Sequence, residues 1–463
     1  MNLRICVNIM KAVKFFDIKK AYGFVFFYSF LVLINRLKVG VIWAFDTQQY
    51  IDKSVIRPPV YPLAISFFKM FFEPHAFIAL IFFQLIFVLI AAFYLSNLLR
   101  KKFELHPITF TLLHLFLLLP LSAISVAVGI HGEIGNKLLT EALSYGLFLL
   151  AVSFLVKTLF TDERRNLIIF ILLIGILTLI RTQMIFMYII AIVAINILQF
   201  KVDHIRSIII LITTGIAIFV FADLSERFYH KAANHYFGKV SLNASHILVG
   251  AIYVTNEKVI NNIVNQQDRE VIKRTYDYLE NKKLLAKNRF EIDRRLVDLY
   301  NDNFAIILGS GLMASFQHVY SLPKQEDEML IQFESFSRRV IKILICHNYK
   351  EFSKLMLLKF LYTLNFREGF FIALFLFLPF IRLSHEFKIF AFFIFLMLVS
   401  NRLIMTPIIY IGDRYLFYTD ILEYVIFIIM AEKYLKRYVF RVDESFHSQR
   451  WQSQTVRSST WAL

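Results

Sequence analysis

The sequence predicts an all-α polytopic membrane protein with about ten transmembrane helices and a large outward-facing loop region. Three observations lead there. Of 463 residues, 58% are hydrophobic and 51 are phenylalanine, more apolar surface than a water-soluble chain of this length can hide. Apolar runs recur from one end to the other, so the bilayer replaces water as the solvent for most of the chain. Lys and Arg collect in alternate turns between those runs, as expected of a fixed orientation.

The runs lie near 21–43, 75–98, 107–129, 138–156, 166–180, 183–200, 207–223, 369–382, 388–404 and 415–431. Several are short for a hydrocarbon core of ~30 Å, which takes ~20 helical residues to cross. The 166–200 stretch reads as a tight hairpin broken at Arg181-Thr182-Gln183, with one long tilted helix as the alternative. The first run is long and lacks a small-residue cleavage site, so it reads as an anchor rather than a signal peptide. Pro120 is expected to kink the third run.

Ten runs put both termini on one side. Arg4, Lys11, Lys14, Lys19 and Lys20 stand there, with Arg100-Lys101-Lys102, Lys157 with Arg164-Arg165, Lys201 with Arg206, and Arg382 with Lys388. Lys433, Lys436, Arg437 and Arg441 join them at the other terminus. The positive-inside rule makes this side cytoplasmic. The short loops opposite are poorer in cations, with Lys137, Arg181, Arg402 and Arg414. Lipid anchoring and orientation thus account for the net charge of +17 without nucleic acid. Richness in Phe, Ile, Lys and Asn fits a bacterial inner membrane. Cys6 and Cys346, the two cysteines, fall on opposite sides and are not expected to pair.

Four regions follow. Residues 1–223 form an N-terminal transmembrane module whose first outward loop spans 44–74. Residues 224–368 form an outward, mostly helical region, and 369–442 carry the last membrane helices. The polar tail 443–463 is expected to be disordered in the cytoplasm. In the first loop, Tyr61 to Phe72 reads as an apolar helix lying at the interface. In the outward region, helices are expected over 268–300 and 333–362. The first is charged on most faces and reads as solvent-exposed. Gly309-Ser310-Gly311 is expected to break the chain between them. No fixed-period repeat, P-loop or dinucleotide fingerprint occurs.

The most informative string is Phe45-Asp46-Thr47-Gln48-Gln49-Tyr50, followed by Arg57-Pro58-Pro59-Val60-Tyr61-Pro62. On physics alone, a solvated carboxylate at a helix end explains Asp46 as well as chemistry does. The di-proline says more. It stiffens the backbone beside Arg57 and fixes where the guanidinium points, while Pro62 suits the first turn of the next helix. An arginine held rigidly at a membrane surface suits a phosphate, which it can grip in a bidentate fork. His131, Glu133 and Glu141 have the chemistry to gather a divalent cation. Their spacing matches no metal signature, and a solvated turn explains them better. Arg36 and Lys38, in the outer part of the first run, read as snorkelling cations, with a phosphate-facing role as the alternative.

An acidic residue after the first span, an aromatic soon after, and a basic-Pro-Pro-x-Tyr-Pro run resemble the GT-C superfamily of membrane glycosyltransferases. These include protein O-mannosyltransferases and aminoarabinose transferases, which use polyprenyl-phosphate sugars. Leu138-Leu139-Thr140-Glu141-Ala142-Leu143 is similar to the family's second acidic site. Leu179-Ile180-Arg181 and Gly412-Asp413-Arg414-Tyr415 resemble its later arginines. The resemblance implies that Asp46 is the catalytic base, that Arg57 and Arg414 meet the donor phosphate, and that Glu141 serves the acceptor side. Tyr50, Tyr61 and Arg181 would support the site. Many members carry two adjacent acidic residues in the first loop, whereas Thr47 and Gln48 follow Asp46 here.

The expected activity is transfer of a sugar from a polyprenyl-phosphate donor to a hydroxyl of a glycan, lipid or protein on the outer membrane face. Membrane lipid is a partner and nucleic acid is not. No cofactor is required by the sequence, and a divalent cation stays open. The alternatives are an envelope polysaccharide polymerase or ligase, with His318 and Arg338-Arg339 as its candidate residues, and a secondary transporter or lipid flippase.

Overall fold

The computed structural model describes residues 17–121, 134–161, 163–199, 204–288, 293–321, 326–364, 366–377, 383–408 and 415–436. Among these residues the chain is helical without a strand, and an isolated β-bridge joins Ile42 to Lys137. Each apolar run falls largely on a helix where it is described, although the first leaves its helix at Gly40, before the expected end at 43. In order, these are α1 (Ile18–Val39), α2 (Thr47–Ile51), α3 (Val60–Phe72), α4 (Ala76–Phe103), α5 (Pro107–Leu118), α6 (Thr140–Phe160), α7 (Arg164–Ile180), α8 (Phe186–Gln199) and α9 (His204–Asn234). There follow α10 (Asn243–Tyr253), α11 (Glu257–Ile260), α12 (Gln266–Asn281), α13 (Asp293–Ala305), α14 (Ala314–Tyr320), α15 (Glu326–His347), α16 (Tyr349–Tyr362), α17 (Phe366–Phe377) and α18 (His385–Ile408). A last helix, α19, covers 415–436.

Among the described residues four helices are long and apolar enough to cross a membrane: α1 with 22 residues, α4 with 28, α6 with 21 and α18 with 24. The apolar α3, α5, α7 and α8 are shorter. Their ends obey local rules. Asp17 caps α1 by accepting from the Lys20 amide at 2.8 Å. Gly40 closes it at φ 74°, a region that favours glycine. Arg100, Lys101 and Lys102 fill the last turn of α4, where cations complement the helix dipole. Pro107 opens α5, and Pro120 stands in a 3-10 turn that ends it. The hairpin in 166–200 is present: α7 stops at Arg181, whose backbone is extended, and a 3-10 turn over Thr182–Ile185 leads into α8.

The main core joins α4, α5, α6, α7, α8, α18 and α19. Small residues let these helices approach, as lipid offers them no hydrophobic drive to associate. A Cβ on Gly146 would meet the Phe87 ring at 2.6 Å, so this glycine leaves room for that ring where α6 packs on α4. A second core is built from α10 and α12 to α15, with Val55 of the first loop and Leu355 of α16 inserted. At the far end of the bundle, Lys433 and Lys436 donate to the carbonyls of Phe103 and Glu104 at 2.7 and 2.9 Å. The Lys–Arg-rich end of α4 is thereby tied to α19.

Several expectations change. Arg402 is not in a loop; it lies within α18, fully buried, paired to Asp420 of α19 at 2.8 Å. Helix α9 runs to Asn234, past the boundary expected at 223. The 268–300 segment is two helices, interrupted after Asn281, and it is not wholly exposed. Val271, Ile272, Thr275, Tyr276 and Leu279 recur at helical spacing and line the second core. Gly309-Ser310-Gly311 does not break the chain: a π-helical turn over Ile306–Met313 carries it from α13 into α14. The 333–362 helix is divided at Asn348 into α15 and α16.

Candidate active site

The first loop folds back on itself around Arg57. Asp46 precedes α2, and Lys53 turns the chain in the left-handed region at φ 58°. The Ser54 amide then donates to the Gln49 carbonyl, and the Arg57 amide to the Ser54 carbonyl, both at 2.9 Å. This double turn returns Arg57 to the start of α2. Its Nη2 meets Asp46 Oδ1 at 2.9 Å, and its Nε donates to Gln49 Oε1 at 2.9 Å. The guanidinium also lies over the Tyr50 ring, 4.7 Å from the centroid. Tyr50 packs edge-on against Tyr61 at 5.2 Å, and the buried Tyr61 hydroxyl accepts from Gln84 of α4 at 3.0 Å. Arg57 is thus held by side chains of its own loop, and toward Asp46.

A second ion pair lies beneath. Glu141, in the first turn of α6, meets Arg181 Nη1 at 2.9 Å, and both are buried. Arg181 also donates to Thr140 Oγ1 at 3.3 Å and Gln183 Oε1 at 3.0 Å. Its guanidinium faces the rings of Tyr415 and Tyr418 at 5.3 and 5.7 Å. The extended backbone at Arg181 is what frees this side chain to turn inward. Thr47 joins the two levels: its hydroxyl accepts from the Ala44 amide at 2.9 Å and donates to the Leu138 carbonyl at 3.2 Å. Tyr50, Tyr61, Leu138, Leu139, Leu143 and Ile180 form one apolar cluster between the pairs.

Asp46, Tyr50, Arg57, Tyr61, Glu141 and Arg181 therefore converge from α2, α3, α6, α7 and the first loop. Arg414, His131 and Glu133 lie outside the described residues. Asp52 is turned away, its carboxylate held by Gln48 at 2.9 Å. Among the described residues no three His, Cys, Asp or Glu side chains gather as metal ligands.

The sequence reading missed the residue that fastens the loop. Asp327, in the first turn of α15, accepts from Ser54 Oγ at 2.8 Å and from the Val55 amide at 3.2 Å. Its other oxygen accepts from Asn234 Nδ2 at 3.2 Å, and Asn234 also donates to the Lys53 carbonyl at 2.9 Å. The second core and the end of α9 thus grip the turn that presents Arg57. The acidic Glu326-Asp327-Glu328 start of α15 was visible as a helix N-terminus, but its partner was not.

No family model matches the chain, and neither a curated protein nor a solved structure does. Within the molecule, a carboxylate and a guanidinium stand partly exposed in the first loop, and a buried pair joins the start of α6 to the end of α7.

Proposed function

We propose that this chain is a membrane glycosyltransferase of GT-C type, moving a sugar from a polyprenyl-phosphate donor to an acceptor hydroxyl outside the membrane. The observation that supports this best is the partly exposed Asp46–Arg57 pair, with side chains 23% and 18% exposed. In the resting enzyme the pair is closed. The donor phosphate competes for Arg57 and, by taking it in a bidentate fork, releases Asp46. Asp46 then accepts the proton of the acceptor hydroxyl as its oxygen attacks the anomeric carbon. The bond from that carbon to the phosphate oxygen breaks, and the lipid phosphate leaves with the electron pair. Arg57 stabilises the charge that develops on it. Glu141 and Arg181 hold the floor on which Tyr50 and Tyr61 stand.

In this proposal ten helices span a bacterial inner membrane, both termini are cytoplasmic, and the second core roofs the site from the periplasm. A cysteine at the exposed Ser310, in a background without Cys6 and Cys346, should react with an impermeant thiol reagent from outside. Labelling only from inside overturns the orientation and the site with it.

The transfer is tested with the purified chain in liposomes, given a radiolabelled polyprenyl-phosphate sugar and assayed for release of polyprenyl phosphate. Arg57→Ala should nearly abolish donor use, and Arg57→Lys, which keeps the charge but not the fork, should retain part. Turnover by both variants at the wild-type rate and limiting donor makes Arg57 an interfacial anchor and ends the donor reading. One feature favours a secondary transporter instead: the Arg402–Asp420 pair is buried among membrane helices, where ionisable groups mark ion pathways. Proton-coupled flux into the same liposomes, lost in Asp420→Asn, would decide for it.

A further inference from the structure

Three guanidinium groups are buried among the described residues, those of Arg36, Arg181 and Arg402. Two are neutralised, Arg181 by Glu141 at 2.9 Å and Arg402 by Asp420 at 2.8 Å. Arg36 is not. It is 6% exposed, its Nη1 has no hydrogen-bond partner, and no carboxylate among the described residues is in ion-pair reach. Lys359 gives the contrast: its ammonium is also buried without a hydrogen bond, but burial lowers its pKa to about 7, so it can become neutral. An arginine has no such escape. A buried charge that cannot be shed calls for a counter-ion.

The position says what kind. Arg36 is in the last turn of α1, and Asn136 Nδ2 donates to its carbonyl at 2.5 Å and to that of Gly40 at 2.8 Å. Asn136 Oδ1, also buried, has no partner. The Asn136 carbonyl accepts from the Ile42 amide at 2.8 Å, and the Leu138 amide donates back to Ile42 at 3.1 Å. Leu138 in turn holds Thr47, beside Asp46. Around this turn Lys38 is exposed, Trp43 is exposed and packs edge-on against Phe77, and Lys69 stands 5.4 Å from the same ring. Exposed indole and ammonium groups next to apolar helix surface mark the headgroup level of a bilayer.

We propose that Arg36 is the centre of a buried anion site that takes the phosphate ester of a membrane lipid beside the Asp46 loop. The guanidinium supplies the donors, and the unpaired Asn136 Oδ1 can accept from a hydroxyl on the same ligand. The proposal does not depend on sugar transfer, and its test has no transfer step. Two sources share the chemistry, a prenyl phosphate and a bulk phospholipid.

The full chain in detergent is titrated with farnesyl phosphate, phosphatidylglycerol and inorganic phosphate, reading melting temperature and bound probe. At least one lipid should bind and raise the melting temperature, with inorganic phosphate much weaker. Arg36→Gln should weaken lipid binding at least tenfold, and Arg36→Lys should recover part. Preference for farnesyl phosphate identifies a donor-type lipid, and preference for phosphatidylglycerol a bulk one. Arg36→Met guards against misfolding: without probe it should melt at or above wild type, because an uncompensated charge has gone, and it should not respond to lipid. Three results overturn the site: no probe binds wild type, inorganic phosphate binds as well as lipid, or Arg36→Gln and Arg36→Met bind lipid like wild type. An Arg36→Met protein that melts well below wild type without probe also overturns it, since the guanidinium is then satisfied within the fold. Loss of lipid binding in Arg36→Gln with normal turnover by Asp46→Asn would keep this site and remove the catalytic reading.

Discussion

Asp46–Arg57 and Glu141–Arg181 both close at 2.9 Å, but their surroundings differ. The first pair sits on a loop with both side chains about a fifth exposed, so water screens it and little is lost when it opens. The second joins the start of α6 to the end of α7 with side chains 2% and 8% exposed. Opening it strands a charge where water cannot follow. A ligand anion can exchange with the upper carboxylate but not with the lower one. The same kind of carboxylate–guanidinium pair is thus open to a ligand in one place and locked into the frame in the other.

Glu141→Gln should show the largest loss of stability, ~3–5 kcal/mol, because Arg181 is left buried and unpaired. Adding Arg181→Met should restore much of it. A Glu141→Gln protein that melts like wild type would erase the distinction between the pairs. Asp327→Ala comes next. It removes charge-assisted hydrogen bonds of ~1.5–3 kcal/mol each in favourable cases, and the loss falls on the loop rather than the bundle. Amide exchange over 49–57 should quicken while that of α6 does not, and the donor KM should rise more than kcat falls. Uniform acceleration through the second core would instead make Asp327 a general fold contact.

A third effect concerns pH. Lys359, on α16 against the Tyr300 ring at 4.4 Å, has a pKa lowered by burial from 10.5 to about 7. Between those values the unfolded chain holds the extra proton, so stability should rise with pH from about 7 to 10.5 and be lowest below 7. His246 nearby, lowered by burial to about 4, stays neutral across this window. Lys359→Met should flatten the rise in melting temperature between pH 7 and 9. An unchanged slope assigns it to other groups.

The helices were legible because hydropathy is a local average, and the described parts of the runs are largely helical. Asp46, Tyr50, Arg57 and Tyr61 were legible because one short loop carries them all. Their grouping with Glu141 and Arg181 came from a resemblance of motif order, since spacing alone does not bring α6 and α7 under the first loop. Asp327 was not legible: its partner Ser54 is 273 residues away, and nothing local marks a carboxylate that will accept from a loop. Arg402 was misplaced for a related reason. A lone cation in an apolar run looks like the end of a span until Asp420, on another helix, neutralises it. The apolar stripe of α12 is legible only face by face, because the number of its charges alone points to solvent on every side.

The central claim is that the exposed pair does the chemistry and the buried pair holds the frame. Asp46→Asn tests it most directly, in a reconstituted transfer assay with the melting temperature measured on the same preparation. Asparagine keeps size and hydrogen bonding but cannot act as the base, so transfer should fall ~10²–10⁴-fold while melting shifts little. Near-normal turnover by a well-folded Asp46→Asn protein would contradict the account and move the search for the base to the second core.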